Sequence, residues 1–308
     1  MTMSIFRPVA AILAGVLALA PLTTAAFAQT IKVQHARGET ELPAVPRKVL
    51  VFDLAALDTL DALGVEVAGV PTARLPDYLS KFNADRYEKV GTLFEPNYEA
   101  VNAAEPDLII VGGRSSAKYA ELSKIAPTVD LSTDSKNYLE SVMRNARLLG
   151  RIFDRQAQVD AILGKLETSI ADLRRDAANA GKGLLVLTTG GKMSAYGPGS
   201  RFGVLHGDFG IVPAVEGLAV TNHGQAVSSE FILETNPDWL FVIDRDAAVG
   251  RGGAAAKSML DNELVAQTTA WKKGQVVYLD PVNWYLIGGG LTSMQASVDQ
   301  IARAIGNK

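Results

Sequence analysis

The sequence predicts an α/β protein of two lobes, each a mostly parallel sheet flanked by helices, joined by a single long helix. Three observations carry that expectation. Short apolar runs alternate with helical stretches in residues 30 to 135 and again after Gly181, and strands alternating with helices build mostly parallel sheets. Between those stretches, from about Asn137 to Asn179, the pattern is helical with no strand. Two segments, one in each half, share a layout of residues at matched spacing.

In the first half, Lys48 to Phe52 reads as a buried strand, Ala55 to Leu63 as a helix ended by Gly64, and Val65 to Val70 as a second strand. Leu108 to Val111 is a third, bounded by Pro106-Asp107 and Gly112-Gly113. In the middle, Leu139, Val142, Met143, Ala146 and Leu149 form one apolar stripe, which Gly150 interrupts. Asp154 is placed to cap a new helix, along which Val159, Ile162, Leu163, Leu166, Ile170 and Leu173 recur at helical spacing. From Asp154 to Ala178 it would be ~37 Å long at ~1.5 Å per residue, enough to bridge two lobes. Beyond Gly181, Leu184–Leu187, Leu240–Ile243 and Val276–Leu279 read as strands, and Leu291 to Ile305 as the last helix. The expected organisation is a signal peptide over 1–28, an N-terminal α/β lobe over 29–150, a linking helix over 151–179 and a C-terminal α/β lobe over 180–308.

The two matched segments run from Glu99 to Arg114 and from Glu230 to Arg245. Each has a glutamate, a helical stretch, Pro-Asp seven residues on, a short strand, and an arginine seven residues after the aspartate. Two lobes of similar build explain the echo. Each glutamate then sits in the first turn of a helix and each arginine just past the carboxyl end of a strand. Ligands of open α/β sheets bind outside those ends, so facing lobes would aim Arg114 and Arg245 into one cleft.

The start of the chain is a secretion signal. Arg7 is the only charge in the first 28 residues, an apolar run spans Val9 to Leu22, and Ala26-Phe27-Ala28 is an A-x-A cleavage site. About 14 apolar residues are too few for a permanent span, which needs ~20. The chain has no cysteine, which excludes disulfides, thiolate metal sites and a lipid-bearing cysteine. A periplasmic protein free of any lipid anchor is expected. The net charge of -3 speaks against a nucleic-acid binder. An enzyme such as a secreted hydrolase lacks support, because there is no G-x-S-x-G elbow, no H-E-x-x-H helix and no cysteine nucleophile.

Several short motifs fall in an informative order: Gly113-Arg114-Ser115, Gly199-Ser200-Arg201-Phe202-Gly203, Asn222 through Glu230, Asp244-Arg245 and Asn283-Trp284-Tyr285-Leu286. In these the chain resembles the periplasmic siderophore-binding proteins of ABC importers, and among them the members that bind ferric catecholates. The resemblance spans essentially the whole mature chain. It implies that Arg114, Arg201 and Arg245 hold the anionic iron complex. It implies that His223 and Tyr285 complete the Fe(III) coordination when the siderophore supplies only four oxygens, and that Glu99 and Glu230 dock with arginines of the permease. The implied partners are a ferric siderophore and the permease and ATPase of the importer, with the binding protein a monomer. No permanent cofactor is expected, since Fe(III) arrives as the siderophore complex.

The chemistry suits these residue types. A ferric tris-catecholate carries three negative charges, and burying it without counter-charge would be prohibitive. Arginine stays protonated and donates in a planar fork toward oxygen anions. Any one arginine would pass for a solvated surface residue, but the strand-end pairing sets Arg114 and Arg245 apart, and Arg201 lies in a Gly-Pro-Gly-Ser-Arg turn. Fe(III) is hard and prefers oxygen, with imidazole acceptable. By themselves His223 reads as a surface histidine, Tyr285 as core packing, and Glu99 and Glu230 as helix-start acids that favour the dipole. His35 and His206 carry no expected role. Relatives that take haem, cobalamin or ferric citrate are the alternative within binding.

Overall fold

The computed structural model describes residues 1–2, 30–252 and 255–306. Apart from residues 1 and 2, the expected secretion signal and its cleavage site lie outside them. Among the described residues no helix is long and apolar enough to cross a membrane.

The chain begins with an antiparallel hairpin, β1 (Ile31–His35) and β2 (Gly38–Leu42), which the sequence reading left unassigned. The first lobe then builds a five-stranded, all-parallel sheet from β3 (Val49–Val51), β4 (Gly69–Thr72), β5 (Glu88–Thr92), β6 (Leu108–Val111) and β7 (Thr128–Asp130). Its strand order is β5-β4-β3-β6-β7. The strands β3, β6 and β7 are buried throughout, as strands covered by helices on both faces must be.

The second lobe is mixed. Its strands are β8 (Lys182–Thr189), β9 (Lys192–Tyr196), β10 (Val212–Pro213), β11 (Gln225–Val227), β12 (Trp239–Asp244) and β13 (Val276–Tyr278). The order is β11-β9-β8-β12-β13, with β10 beside β8. β12 pairs in parallel with β8 and β13, while β9 runs antiparallel to β8 and β11.

The matched segments of the sequence occupy the same place in both sheets. β6 and β12 each lie fourth in the order. The Asp107 carboxylate accepts hydrogen bonds from the Arg47 and Lys48 amides at 2.9 Å, ahead of β3. The Asp238 carboxylate accepts from the Lys182 amide at 2.8 Å, at the start of β8. The Pro-Asp pair thus staples the start of one strand to its neighbour. Even the residue before each proline is alike, Glu105 with φ 45° and Asn236 with φ 43°. That left-handed conformation ends the preceding helix.

The linking helix is Gln156–Ala177, 22 residues, or ~33 Å at ~1.5 Å per residue. It buries Val159, Leu163, Leu166, Ile170, Leu173 and Ala177, and Ile162 is half-buried. Gln158 donates to the Ala62 carbonyl of the first lobe, and the other end reaches the second lobe, where the Trp239 indole donates to the Ala180 carbonyl. Two local expectations are corrected. Asp154 does not cap this helix: it takes φ 57° in the turn before it, and Arg155 precedes the helix without a side-chain cap. Gly150 does not break the previous helix, which runs Tyr138–Ile152. A Cβ on Gly150 would stand 2.8 Å from the Val159 side chain, so glycine is where the two helices approach each other.

Within 180–308, the last helix Leu291–Gly306 packs against the linking helix and against the first-lobe helix Leu54–Ala62. The joint is polar and buried. Asp58, on Leu54–Ala62, accepts from the Thr292 amide at 2.7 Å, the Ser293 amide at 3.0 Å and the Tyr78 hydroxyl at 2.6 Å. It therefore caps the last helix from another part of the chain. Gly290 is needed there, because a Cβ would meet the Asp58 carboxyl carbon at 2.4 Å.

Burial raises the Asp58 pKa to about 6 against these hydrogen bonds. A carboxyl whose folded pKa lies above its unfolded one binds more protons when folded, so its contribution to stability falls as pH rises between about 4 and 6. Relative to Asp58→Asn, the native protein should gain stability on going from pH 7 to pH 4.5, by on the order of 2 kcal/mol. Denaturant midpoints of the two proteins at both pH values test this, and parallel pH profiles would exclude Asp58 as the titrating group.

Candidate functional site

The cleft lies where each sheet reverses its winding, beyond the carboxyl ends of the central strands. In the first lobe Asp53 follows β3 and Arg114 follows β6 by three residues. Ser115 fixes that loop: buried, it hydrogen-bonds the Gly112 amide at 3.1 Å and the Phe52 carbonyl at 3.3 Å. In the second lobe Arg245 directly follows β12, and its Nη1 donates to Thr189 Oγ1 at the end of β8, 3.2 Å away. Arg201 sits in the turn after β9, where the Gly203 amide donates to the Ser200 carbonyl at 2.9 Å.

All three arginines converge on Tyr285. Its residue belongs to a single π-helical turn, Val282–Ile287, closed by the Gly288 amide donating to the Asn283 carbonyl at 2.7 Å. Arg114 Nη2 and Arg201 Nη2 donate to the Tyr285 carbonyl at 2.6 and 2.9 Å, and Arg114 Nη1 to the Leu286 carbonyl at 3.2 Å. Arg245 Nε donates to the Tyr285 hydroxyl at 3.0 Å. The guanidinium carbons of Arg201, Arg114 and Arg245 stand 4.4, 5.1 and 5.8 Å from the centre of the tyrosine ring. Arg201 is sandwiched, with the Phe202 ring 4.8 Å away as well.

The resulting cleft has a volume of ≈ 930 Å³ and is lined by Arg114, Arg201, His223, Arg245 and Tyr285 together. Asp53 is the one carboxylate on its wall among the described residues. Asp246, outside the wall, pairs with Arg245 Nη1 at 3.6 Å, so three guanidiniums against two carboxylates still leave an excess of positive charge. His223 comes from a different loop, is exposed, and makes no imidazole hydrogen bond among the described residues. No group of three or more carboxylate and histidine side chains able to hold a metal occurs among the described residues. His35 and His206 are elsewhere. The first faces Thr40 at 2.9 Å, and the second is buried against the Ile211 carbonyl at 2.8 Å.

Electrostatics follow from the crowding. Burial would push the Tyr285 phenol up, but the Arg245 hydrogen bond and the Arg201 charge outweigh it and hold the phenol below the usual tyrosine range. Burial, then repulsion from Arg201, lowers Arg114. Asp53 moves the other way: burial raises its carboxyl, opposed by the Ala56 amide and by Arg114. Sequence reading missed Asp53. The same strand-end logic that singled out Arg114 would have found it, but an aspartate before a helix reads as a cap, which it also is: it accepts from the Ala56 amide at 2.9 Å.

Glu99 and Glu230 are exposed and lie in the first turns of the helices Tyr98–Ala103 and Ser229–Thr235. Each helix leads back to the amino end of a parallel strand, so each glutamate stands toward the carboxyl edge of its sheet, the edge that carries the arginines. Neither lines the cleft.

The profile of the periplasmic binding protein family matches residues 49–282. The chain belongs to that family. This periplasmic binding protein is 45% identical over 275 residues to the petrobactin-binding protein YclQ of Bacillus subtilis strain 168, covering 88% of this chain and 86% of the relative. The crystal structure of YclQ superposes with a TM-score of 0.88, covering 91% of this chain and 100% of that one at 43% identity. The ferric-anguibactin-binding protein FatB of Vibrio anguillarum is 32% identical over 279 residues, 89% of this chain and 87% of its own. The periplasmic catecholate-siderophore binding protein VctP of Vibrio cholerae gives a TM-score of 0.85 at 34% identity, over 89% of this chain and 100% of that one.

Proposed function

We propose that this protein captures an anionic ferric siderophore of the catecholate type and delivers it to an ABC importer of the inner membrane. One observation carries the reading: arginines from both lobes converge in a cleft on whose wall Asp53 is the one carboxylate among the described residues. They donate to two backbone carbonyls, a phenol and the Thr189 hydroxyl, and an iron-bound catecholate, being charged, is a stronger acceptor than any of these. The petrobactin, anguibactin and catecholate specificities named for the relatives support the same ligand class. No chemical step is part of this role. The iron is cargo, held by the siderophore, and the protein needs no resident cofactor. The A-x-A site fits export to the periplasm, and the absence of cysteine fits a mature chain without a cysteine-linked lipid.

Titration with ferric complexes tests the reading. Bis- and tris-catecholates should quench the fluorescence of Trp284, which lines the cleft beside Tyr285, at sub-micromolar concentration. Tight binding of haem, cobalamin or ferric citrate with none of the catecholates would replace it.

In this reading His223 and Tyr285 are iron ligands for a tetradentate siderophore only. A phenol bound to Fe(III) sheds its proton, and the arginines around Tyr285 ease that loss. His223→Ala and Tyr285→Phe should weaken a tetradentate complex by about tenfold or more, and a hexadentate one much less. The tetradentate complex should show a tyrosinate-to-iron absorption band that Tyr285→Phe abolishes. Equal losses for both ligand types would reduce the two residues to pocket walls.

A further inference from the structure

Among the described residues other than the terminal Met1, two apolar side chains stand out for exposure: Phe94 at 58% and Val220 at 57%. Single exposed apolar residues are ordinary. These two, however, come from different lobes and both line the one cleft.

Their exposure is built rather than incidental. Phe94 sits at the tip of a turn after β5, where the Thr92 amide donates to the Glu95 carbonyl at 2.9 Å. Thr92 Oγ1 accepts from the Phe94 amide at 3.3 Å and the Glu95 amide at 3.0 Å. Lys118 holds the Glu95 carboxylate at 2.8 Å. Thr92 and Glu95 are thus tied down on either side of Phe94, whose ring stays exposed. Val220 precedes Thr221, whose hydroxyl donates to the Gly224 carbonyl at 2.9 Å, while Gln225 accepts from the Ala219 amide at 3.1 Å. That loop therefore brings both Val220 and His223 to the cleft wall.

We infer that Phe94 and Val220 are apolar lips that grip the uncharged part of the ligand, the linker or ring faces that join its chelating groups. The inference rests on the ferric-siderophore reading above and narrows it. The favoured ligand is an amphiphilic chelate, with its anionic iron centre at the arginines and an apolar backbone at the mouth. Covering apolar surface at the lips adds affinity in proportion to the area removed from water. A compact polar ferric chelate gains nothing there. The lips therefore set specificity, and the arginines set charge selection.

The test uses two synthetic ferric bis-catecholates of equal span, one with a polymethylene linker and one with an oligo-ether linker. The native protein should prefer the polymethylene chelate by roughly ten- to fiftyfold. The double variant Phe94→Ser/Val220→Ser should lose most of that preference, its affinity for the polymethylene chelate falling much further than that for the oligo-ether chelate. Both residues are exposed, so the variant should melt as the native protein does, and Arg114→Ala should weaken both chelates alike. Equal native affinity for the two linkers overturns the inference. So does a double variant that keeps the preference, or one that binds normally but fails in uptake, which would assign the lips to the permease. Binding of neither catecholate by the native protein would overturn the siderophore reading, and the inference with it.

Discussion

Arg201→Ala should weaken binding of a ferric tris-catecholate by about 30- to 300-fold while leaving the melting temperature of the free protein nearly unchanged. The two halves of that expectation have one cause. Three guanidiniums crowd one tyrosine, and Arg201 and Arg114 repel each other. Deleting Arg201 removes that repulsion along with one hydrogen bond to the Tyr285 carbonyl and two ring contacts. Ring contacts of this kind are worth about 0.5–1 kcal/mol at exposed sites, so gain and loss nearly cancel. With the anion bound, the balance changes. Removing one partner of a buried ion pair costs about 3–5 kcal/mol, and a cleft open to water brings that to about 2–3.5 kcal/mol.

Arg114→Ala should cost at least as much affinity and also some stability. Of the three arginines Arg114 is the one from the first lobe, and it reaches from the loop after β6 to the carbonyls of Tyr285 and Leu286. Arg114→Lys should recover only part of the binding, since an ammonium cannot span two acceptors as the guanidinium fork does. Calorimetric titration and thermal melts of the variants separate the effects. Native affinity in both Arg114→Ala and Arg201→Ala would place the ligand outside this cleft.

How far the sequence spoke depends on which force wrote each feature. Strands buried on both faces appear as unbroken apolar runs, so Leu108–Ile109–Ile110–Val111 was legible to the residue, and Leu184–Leu187 fell within β8. β7 (Thr-Val-Asp) and β11 (Gln-Ala-Val) were not, because pairing with neighbours, not their own pattern, makes them strands. The capping role expected of Asp154 fails for a related reason. An aspartate before an apolar stripe satisfies the capping pattern whether it takes an extended or a left-handed backbone, and here it takes the latter.

The site divides the same way. Arg114 and Arg245 were readable as strand-end residues through the echo, which the structure traces to two aspartate staples and two left-handed residues before proline. What no spacing could reveal is that Tyr285 is the meeting point. Its neighbours lie 171, 84 and 40 residues away along the chain. The Asp58 cap joins α/β elements 234 residues apart, and its partners are backbone amides, which leave no trace in side-chain identity.

Reversing both echoed glutamates, Glu99→Lys with Glu230→Lys, should leave siderophore affinity within about twofold of native and abolish most uptake. Both side chains are exposed and neither lines the cleft, so the first half follows from distance and screening. The second follows from placement. Each glutamate stands in the first turn of a short helix at the carboxyl edge of its sheet, one per lobe, so the pair flanks the cleft mouth with two separated negative points. A permease with a basic residue opposite each point would be met in one orientation, the cleft over its channel. Such contacts set orientation and on-rate more than affinity, and they weaken with salt. Native uptake should accordingly fall as ionic strength rises, and a single reversal should lose less than the double. The Ser228 hydroxyl, which holds the Glu230 carboxyl below the usual range, keeps it ionised well into acid, so docking through this lobe should persist at mildly acidic pH. Stimulation of the importer's ATPase in proteoliposomes reads this directly. A double variant that stimulates as the native protein does would leave Glu99 and Glu230 as helix-start residues only, stabilised by the dipole at their own helix ends.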